Sequence, residues 1–588
     1  MCIRDRHTAA RRLAAAGTGA RLAGEPAAGV HRGERREVAG PVAYRRGAVT
    51  PARIGRGAGA VALRLVPAVF IAVLFAWPLI ALIRRGMRGS SVGDLPGMLQ
   101  RTQAFELLGM TLGQAAASTL VALVVAIPIV WLYARVGGTA ALILAVVVTV
   151  RFVLPTVVVG VTFRALLDGP LGFLGIGSGL GAVVLAHAFL NAAVMVRVVG
   201  AAWRSLDPRV VDAARTLGAG RLRAFRTVVL PRLLPAIAGA CGLVFLFCST
   251  SFGVVIILGA GQLRTLETEI YAQAIGYFRI PEAVVLSMLQ IVVVVAALIL
   301  ARVFTDPAGT GSAGVFGPDR NMMRGIGVRV ASLLAWTWTA VALLGPLVVL
   351  AIRSVRPVAG GDWTFAGYRA LGRPVNGITP LDTLRYSLTT ALLAMVIALV
   401  VGVLAALALH RSRGPVRAAG NVIAMIPLGI SAVTLGFGYL IVLASMPYEI
   451  AASPAVIPCV QALIAIPLVI RVMVPALESI PPRLRDAAAS LGAGPVRVFV
   501  DVDLPIIGRS LGAAAGFAFV MALGEFGAAT FLRRADTTTL PVLIGSELSR
   551  PGADNLATAM AASMILVIAT TIAVIGVEVF RPRNGVLI

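Results

Sequence analysis

Apolar runs of about 20 residues recur along the whole 588-residue chain. At a rise of 1.5 Å per residue each is long enough to cross a hydrocarbon layer about 30 Å thick as a helix. They fall at about 61–83, 110–134, 140–163, 181–203, 236–258 and 282–303, and again at about 328–352, 384–410, 416–443, 454–477, 511–532 and 556–580. The expected fold class is all-α: a polytopic membrane protein of about 12 transmembrane helices. Composition agrees, since 58% of residues are hydrophobic and 13% charged, with a mean hydropathy of +0.92, whereas soluble domains are about a quarter charged.

A polar, arginine-rich island interrupts each set of runs at the same place. Leu206–Pro235 reads LDPRVVDAARTLGAGRLRAFRTVVLPRLLP, and Ile480–Arg509 reads IPPRLRDAAASLGAGPVRVFVDVDLPIIGR, a near copy at an offset of 274 residues. Local chemistry predicts a short helix, a turn and a second helix. Asp207 can cap a helix that starts at Pro208, where proline's missing N–H is not needed. Gly218 and its copy Gly492 can take the left-handed conformation that ends a helix. A second amphipathic turn or two then leads to Leu230-Pro231.

Each island lies between the fourth and fifth runs, so the chain divides into two parallel six-helix repeats. The halves are 61–303, with loop 204–235, and 328–580, with loop 478–509; a polar linker, 304–327, joins them, and a short tail, 581–588, follows. Residues 1–60 hold twelve Arg and no run long enough for a signal sequence, so they read as a disordered basic tail, or as a segment foreign to the native protein. Six spans per half place both termini on one side, unlike the inverted repeats of many secondary transporters. Both loops, the tail, His410–Arg417 and the C-terminal end with Arg581 and Arg583 share one basic face, which the positive-inside rule makes cytoplasmic. The opposite face is not free of arginine, with Arg84, Arg85, Arg88, Arg353 and Arg356.

The net charge of +26 does not point to nucleic acid, because its arginines sit in the tail and between apolar runs. All 52 basic residues are Arg. A P-loop needs a lysine on the nucleotide phosphates, so this chain by itself is no P-loop ATPase. Cys2, Cys241, Cys248 and Cys459 have neither metal nor disulfide spacing. No HExxH or GxSxG motif suggests a membrane enzyme, and no cofactor is expected on the chain.

A mid-membrane Arg costs about 2.5–3.5 kcal/mol on insertion scales, so polar residues inside the runs are candidates for a translocation path. They are Arg151, four residues before Pro155, whose counterpart is expected to be Pro427; His187 and Asn191, one helical turn apart; Gln461, at the repeat position of His187; Gln290; and Glu525. Interhelical hydrogen bonding is the alternative role for each. Arg197 and Arg471, also repeat-related, are expected to anchor helix ends by snorkelling, or to transmit loop motion.

The loop spacing is an acidic residue, Ala-Ala, three residues, Gly, nine residues, an aliphatic, any residue, then Leu-Pro. It resembles the EAA loop of binding-protein-dependent ABC importer permeases, with Asp in place of the commoner Glu. The match covers Asp212, Ala213, Ala214, Gly218, Val228, Leu230 and Pro231, then Asp486, Ala487, Ala488, Gly492, Val502, Leu504 and Pro505, with Arg223 and Arg497 also shared. The resemblance implies that these loops couple to the ATPase. The stretches Phe245–Tyr277, Leu185–Asn191, Ala522–Ala528 and Thr538–Ile544 resemble the fused thiamine permeases, across about 61–580; ferric-iron permeases share that layout. The resemblance implies a permease in the bacterial cytoplasmic membrane that serves two copies of an ATPase subunit, where ATP is used, and a separate extracytoplasmic binding protein. Its solute would be thiamine or a phosphorylated form, or alternatively ferric iron. A secondary transporter, the rival class, would need no such loops.

Overall fold

The computed structural model describes residues 56–89, 95–304, 326–358, 360–374, 379–534 and 537–580. Nearly all of the expected basic tail, most of the linker and the C-terminal tail lie outside the described residues. Among the described residues every regular element is helical. The first helix begins at Arg56, inside the stretch expected as tail.

Among the described residues ten helices are long and apolar enough to cross a membrane: Leu63–Gly86, Ala104–Arg135, Leu180–Arg204, Arg221–Ser249, Ile280–Ile299, Ile326–Val355, Pro380–Arg411, Val456–Glu478, Pro495–Leu523 and Ala553–Val577. The third run, expected to be one span, is two helices, Gly138–Phe152 and Thr156–Leu167, bent by 98°. The ninth is likewise divided, into Gly414–Gly429 and Ala432–Leu443. Pro155 is the N-cap residue of the second helix of the first pair, at φ −57°, ψ 135°. Ser431 holds the same place in the second pair, at φ −58°, ψ 134°. The counterpart of Pro155 is therefore Ser431. Pro427 lies inside Gly414–Gly429, and the break comes after it, where the Ser431 hydroxyl accepts the N–H groups of Val433 and Thr434 at 3.1 and 3.3 Å as an N-cap does.

The fifth and eleventh runs also differ from expectation. Each begins earlier, because the second helix of the repeated loop continues without interruption into the span, as Arg221–Ser249 and Pro495–Leu523. One wide turn, Phe225–Val229 or Phe499–Asp503, precedes the Leu-Pro pair in each. Proline removes a donor and crowds the carbonyl four residues back, and a π-turn accommodates both. Each span also ends earlier than its apolar run, at Ser249 and Leu523, with short helices Gly253–Leu258 and Gly527–Leu532 beyond.

The first span of each set packs on the other set. Arg56–Ile71 lies against Pro380–Arg411, and Trp77–Gly89 against Ala432–Leu443, while Ile326–Val355 lies against Ala104–Arg135 and Thr156–Leu167. Glycine permits one of these contacts, since a Cβ on Gly438 would stand 3.0 Å from the Pro78 carbonyl oxygen. Trp338 Nε1 donates to the Val125 carbonyl at 3.0 Å in the reciprocal one. The main core accordingly joins residues of both sets, from Leu82 and Phe252 to Phe437 and Phe526.

Candidate translocation site

Two pairs of broken helices meet at the centre. In the first set, Ser249 and Thr250 turn their hydroxyls back onto the Leu246 carbonyl at 2.9 and 3.0 Å, an alternative to the helical N–H partner. The helix stops there and restarts at Gly253. In the second set Glu525 accepts the N–H groups of Ala528 and Ala529 at 2.7 and 2.9 Å, so its carboxylate caps Gly527–Leu532. Glycines let the restarted helices cross their neighbours closely. A Cβ on Gly253 would collide with the Thr156 hydroxyl, one on Gly160 would stand 3.0 Å from Ile257, and those on Gly436 and Gly527 would stand 2.7 and 2.9 Å from Ala528 and Ala432. Small residues at helix crossings are the usual way to such approach in a membrane.

Phe252 and Phe526 occupy these two breaks at the same repeat offset of 274. Their rings stack, with centroids 5.4 Å apart and planes 20° from parallel. Tyr271 meets Phe252 at 5.3 Å and Phe531 edge-on at 5.5 Å. Phe252, Tyr271 and Phe526 line a cavity of about 1240 Å³. The chain's path puts this cavity at the end of the bundle opposite the repeated loops: the wall residues Arg164, Asp168, Gly261, Arg533, Glu547 and Arg550 all lie at helix ends or turns remote from 204–235 and 478–509. Arg550 bonds Glu547 at 3.2 Å and Arg164 faces Asp168 at 3.9 Å, while Arg533 is exposed.

Arg151, His187, Asn191, Gln290, Gln461 and Glu525 are all buried. His187 Nε2 lies 2.8 Å from Ser251 Oγ and its Nδ1 3.3 Å from Ser118 Oγ. Asn191 donates to the His187 carbonyl at 3.1 Å, and Gln290 to the Ser249 carbonyl at 3.3 Å. Arg151, 1% exposed, donates to the Ala188 carbonyl at 3.2 Å and stacks 4.0 Å over Phe189; its Nε and Nη1 have no partner among the described residues. Gln461 is buried with its Oε1 unpaired, so the repeat position of His187 lacks the His–Ser chain. Arg197 departs from the expected anchor role, because it is half-buried and its guanidinium lies 5.8 Å from the rings of both Phe152 and Phe517. Arg471 is exposed, as an anchor would be.

Sequence reasoning missed Phe252, Phe526 and Tyr271, which read as ordinary core residues in apolar runs, although Ser251-Phe252-Gly253 and Glu525-Phe526-Gly527 align at the repeat offset. It also missed Glu267, fully buried, whose Oε2 accepts the Ser431 hydroxyl at 2.5 Å and so ties the two sets together. Among the described residues no three His, Cys, Asp or Glu side chains gather as a metal-ligand set.

The two repeated loops share one turn geometry. Asp207 caps Pro208–Thr216, accepting from Arg209 N at 2.9 Å; the second copy is Pro482–Ser490. Gly218 and Gly492 have φ of 87° and 85°. Ala219 N bonds Ala214 O at 3.1 Å and Gly218 N bonds Arg215 O at 3.0 Å, with the same pair from Ala493 to Ala488 and Gly492 to Ala489 at 3.0 Å. This double bond pattern is the Schellman termination. Asp212, Ala213, Arg223, Pro231, Asp486, Ala487, Arg497 and Pro505 are exposed, and Ala214, Leu230, Ala488 and Leu504 half-buried. Leu217 and Leu491 stand 89% and 90% exposed.

Residues 107–306 match the family of binding-protein-dependent transport system inner membrane components. That segment, about a third of the chain, is similar to the membrane component of such a system. Relatives extend the likeness past that segment. A thiamine transport system permease protein of Brucella abortus is 26% identical over 486 residues, 79% of this chain and 86% of its own length. That of Escherichia coli is 28% identical over 392 residues, 64% and 69% of the two chains. A putative 2-aminoethylphosphonate transport system permease of Salmonella choleraesuis is 27% identical over 276 residues, 42% of this chain and 93% of its own. The chain is thus an all-helical, multi-pass membrane protein over its described residues, similar along most of its length to permeases of bacterial transport systems.

Proposed function

We propose that the permease forms the translocation path of an ATP-driven importer in the bacterial cytoplasmic membrane and couples it to a separate ATPase. The reading assigns 61–303 and 328–580 as two membrane halves, with both termini and both loops cytoplasmic. One copy of an ATPase subunit docks on each loop, through Asp212, Ala213, Ala214, Gly218, Arg223, Leu230 and Pro231 and through Asp486, Ala487, Ala488, Gly492, Arg497, Leu504 and Pro505. The central cavity faces an extracytoplasmic binding protein, and ATP is used by the partner alone. The observation that carries this reading is the pair of loops: two exposed helices with one capped, left-handed turn, each continuous with a span that ends beside the cavity floor. A push on either loop is therefore delivered along one continuous helix to the break that holds Phe252 or Phe526.

The solute is thiamine or a phosphorylated form. The names of the relatives support this, as does a cavity with an aromatic floor and arginines in its wall. Arg151, His187, Asn191, Gln461 and Glu525 are the buried polar residues past which the solute moves. Isothermal calorimetry on the cognate binding protein tests the substrate: thiamine or its phosphate should bind, whereas ferric iron binding in its place would replace the substrate and leave the importer reading intact.

A further inference from the structure

We propose that Phe252 and Phe526 are the solute-recognising element of the path, and that a planar heteroaromatic ring passes by inserting between them. The inference rests on the importer reading above and goes beyond it in naming the residues and the chemistry of selection.

The two rings come from equivalent breaks in the two halves and stack at 5.4 Å and 20°, 5% and 7% exposed, at the floor of the cavity. Each ring therefore has one face on its partner. Parting them exposes two apolar faces, which only another flat apolar surface covers as well; water or a hydrated ion does not. A heteroaromatic solute that slides between the rings replaces one stack by two. The site around the pair is built for rings: Tyr271 lies 5.3 Å from Phe252, with Phe531 edge-on behind it. A Cβ on Gly545 would stand 3.1 Å from the Phe526 ring, and one on Gly524 would stand 3.3 Å from Pro155, so the ring and its own turn are held by close backbone contacts. Charged tails on the solute stay in the cavity above, beside Arg533 and the Glu547–Arg550 pair. The stack also explains how a single pair serves as seal and sensor: closed, the rings cover each other, and only a solute that can take a ring's place lowers the cost of opening.

The full-length permease, reconstituted in liposomes with its ATPase and binding protein, tests this with labelled thiamine, ferric citrate and 2-aminoethylphosphonate as probes. Phe252→Leu and Phe526→Leu keep apolar bulk and lose the ring; Phe252→Tyr and Phe526→Tyr keep it. The expected result is wild-type uptake of thiamine, a loss on the order of 10-fold in each Leu variant and on the order of 100-fold in the pair, with uptake retained in the Tyr variants. Binding of the ATPase to each variant checks that it is folded. Wild-type thiamine uptake that survives the double Leu substitution overturns the inference and leaves the importer reading standing. Wild-type uptake confined to ferric citrate or 2-aminoethylphosphonate also overturns it, whereas ATP-independent uptake of any probe overturns the importer reading itself.

Discussion

Replacing the turn glycines isolates what the repeated loops do. Gly218 and Gly492 sit at φ 87° and 85°, and a Cβ built on either meets no atom within 4 Å. The cost of a side chain is therefore conformational and not steric: about 1–2 kcal/mol for an ordinary L-residue, and more for a β-branched one. That corresponds to about a 5- to 30-fold loss of the native turn. The loops are separate, so the penalties add, and the double variant should lose about 30- to 1,000-fold. Gly218→Val with Gly492→Val should therefore reach the membrane, bind the ATPase about that much more weakly, and lose solute-stimulated hydrolysis. Binding of purified ATPase to immobilised permease gives the first quantity and phosphate release the second. Asparagine tolerates the left-handed region, so Gly218→Asn with Gly492→Asn should remain near the wild-type values. If the valine pair binds and hydrolyses normally, the turn does not hold the docking helix. If asparagine is as damaging as valine, contact at the glycine and not its backbone is what counts.

The second loop carries an ion pair that the first lacks: Arg485 Nε donates to Asp503, 4% exposed, at 2.7 Å, where Val211 and Val229 stand at the offset of 274. Asp503→Val should lower stability by about 2–3 kcal/mol, less than for a fully buried pair because Arg485 keeps some solvent, and Arg485→Val with Asp503→Val should recover it, read as thermal unfolding in detergent. Glu525→Ala leaves the Ala528 and Ala529 N–H groups unpaired and should cost about 2–3 kcal/mol in the same measurement, with Glu525→Gln milder. Single cysteines at Arg221, Arg497, Gly261 and Asp554, in a background without Cys2, Cys241, Cys248 and Cys459, should react with an impermeant reagent added outside cells only at the last two; labelling at Arg221 would reverse the orientation.

The loops were legible because their signals are local. Asp207, Pro208 and Gly218 each act within a turn or so of themselves, and the repeat fixed which of many glycines to read. The breaks were not legible in hydropathy, because one or two polar residues, such as Thr250-Ser251, Ser431 or Glu525, do not end an apolar run of about 20 residues. Choosing Pro427 followed the rule that proline breaks helices, yet in Gly414–Gly429 the helix continues past it and a serine hydroxyl sets the break at Ser431. Arg151, His187 and Asn191 were found because a polar side chain in an apolar run stands out. Phe252 and Phe526 were invisible for the opposite reason, since a phenylalanine in such a run looks like any other.

The exchange of first spans bears on how the protein is made. Arg56–Ile71 and Trp77–Gly89 complete their packing only against Pro380–Arg411 and Ala432–Leu443, which leave the ribosome more than 300 residues later. At a synthesis rate of about 5–20 residues per second that is a delay of tens of seconds, during which the first span has lipid or an insertion factor where its partner belongs. The first half cannot be finished before the second arrives: in a nascent chain truncated in the linker Trp77–Gly89 would still have Ile280–Phe304 to pack on, but Arg56–Ile71 would lack Pro380–Arg411.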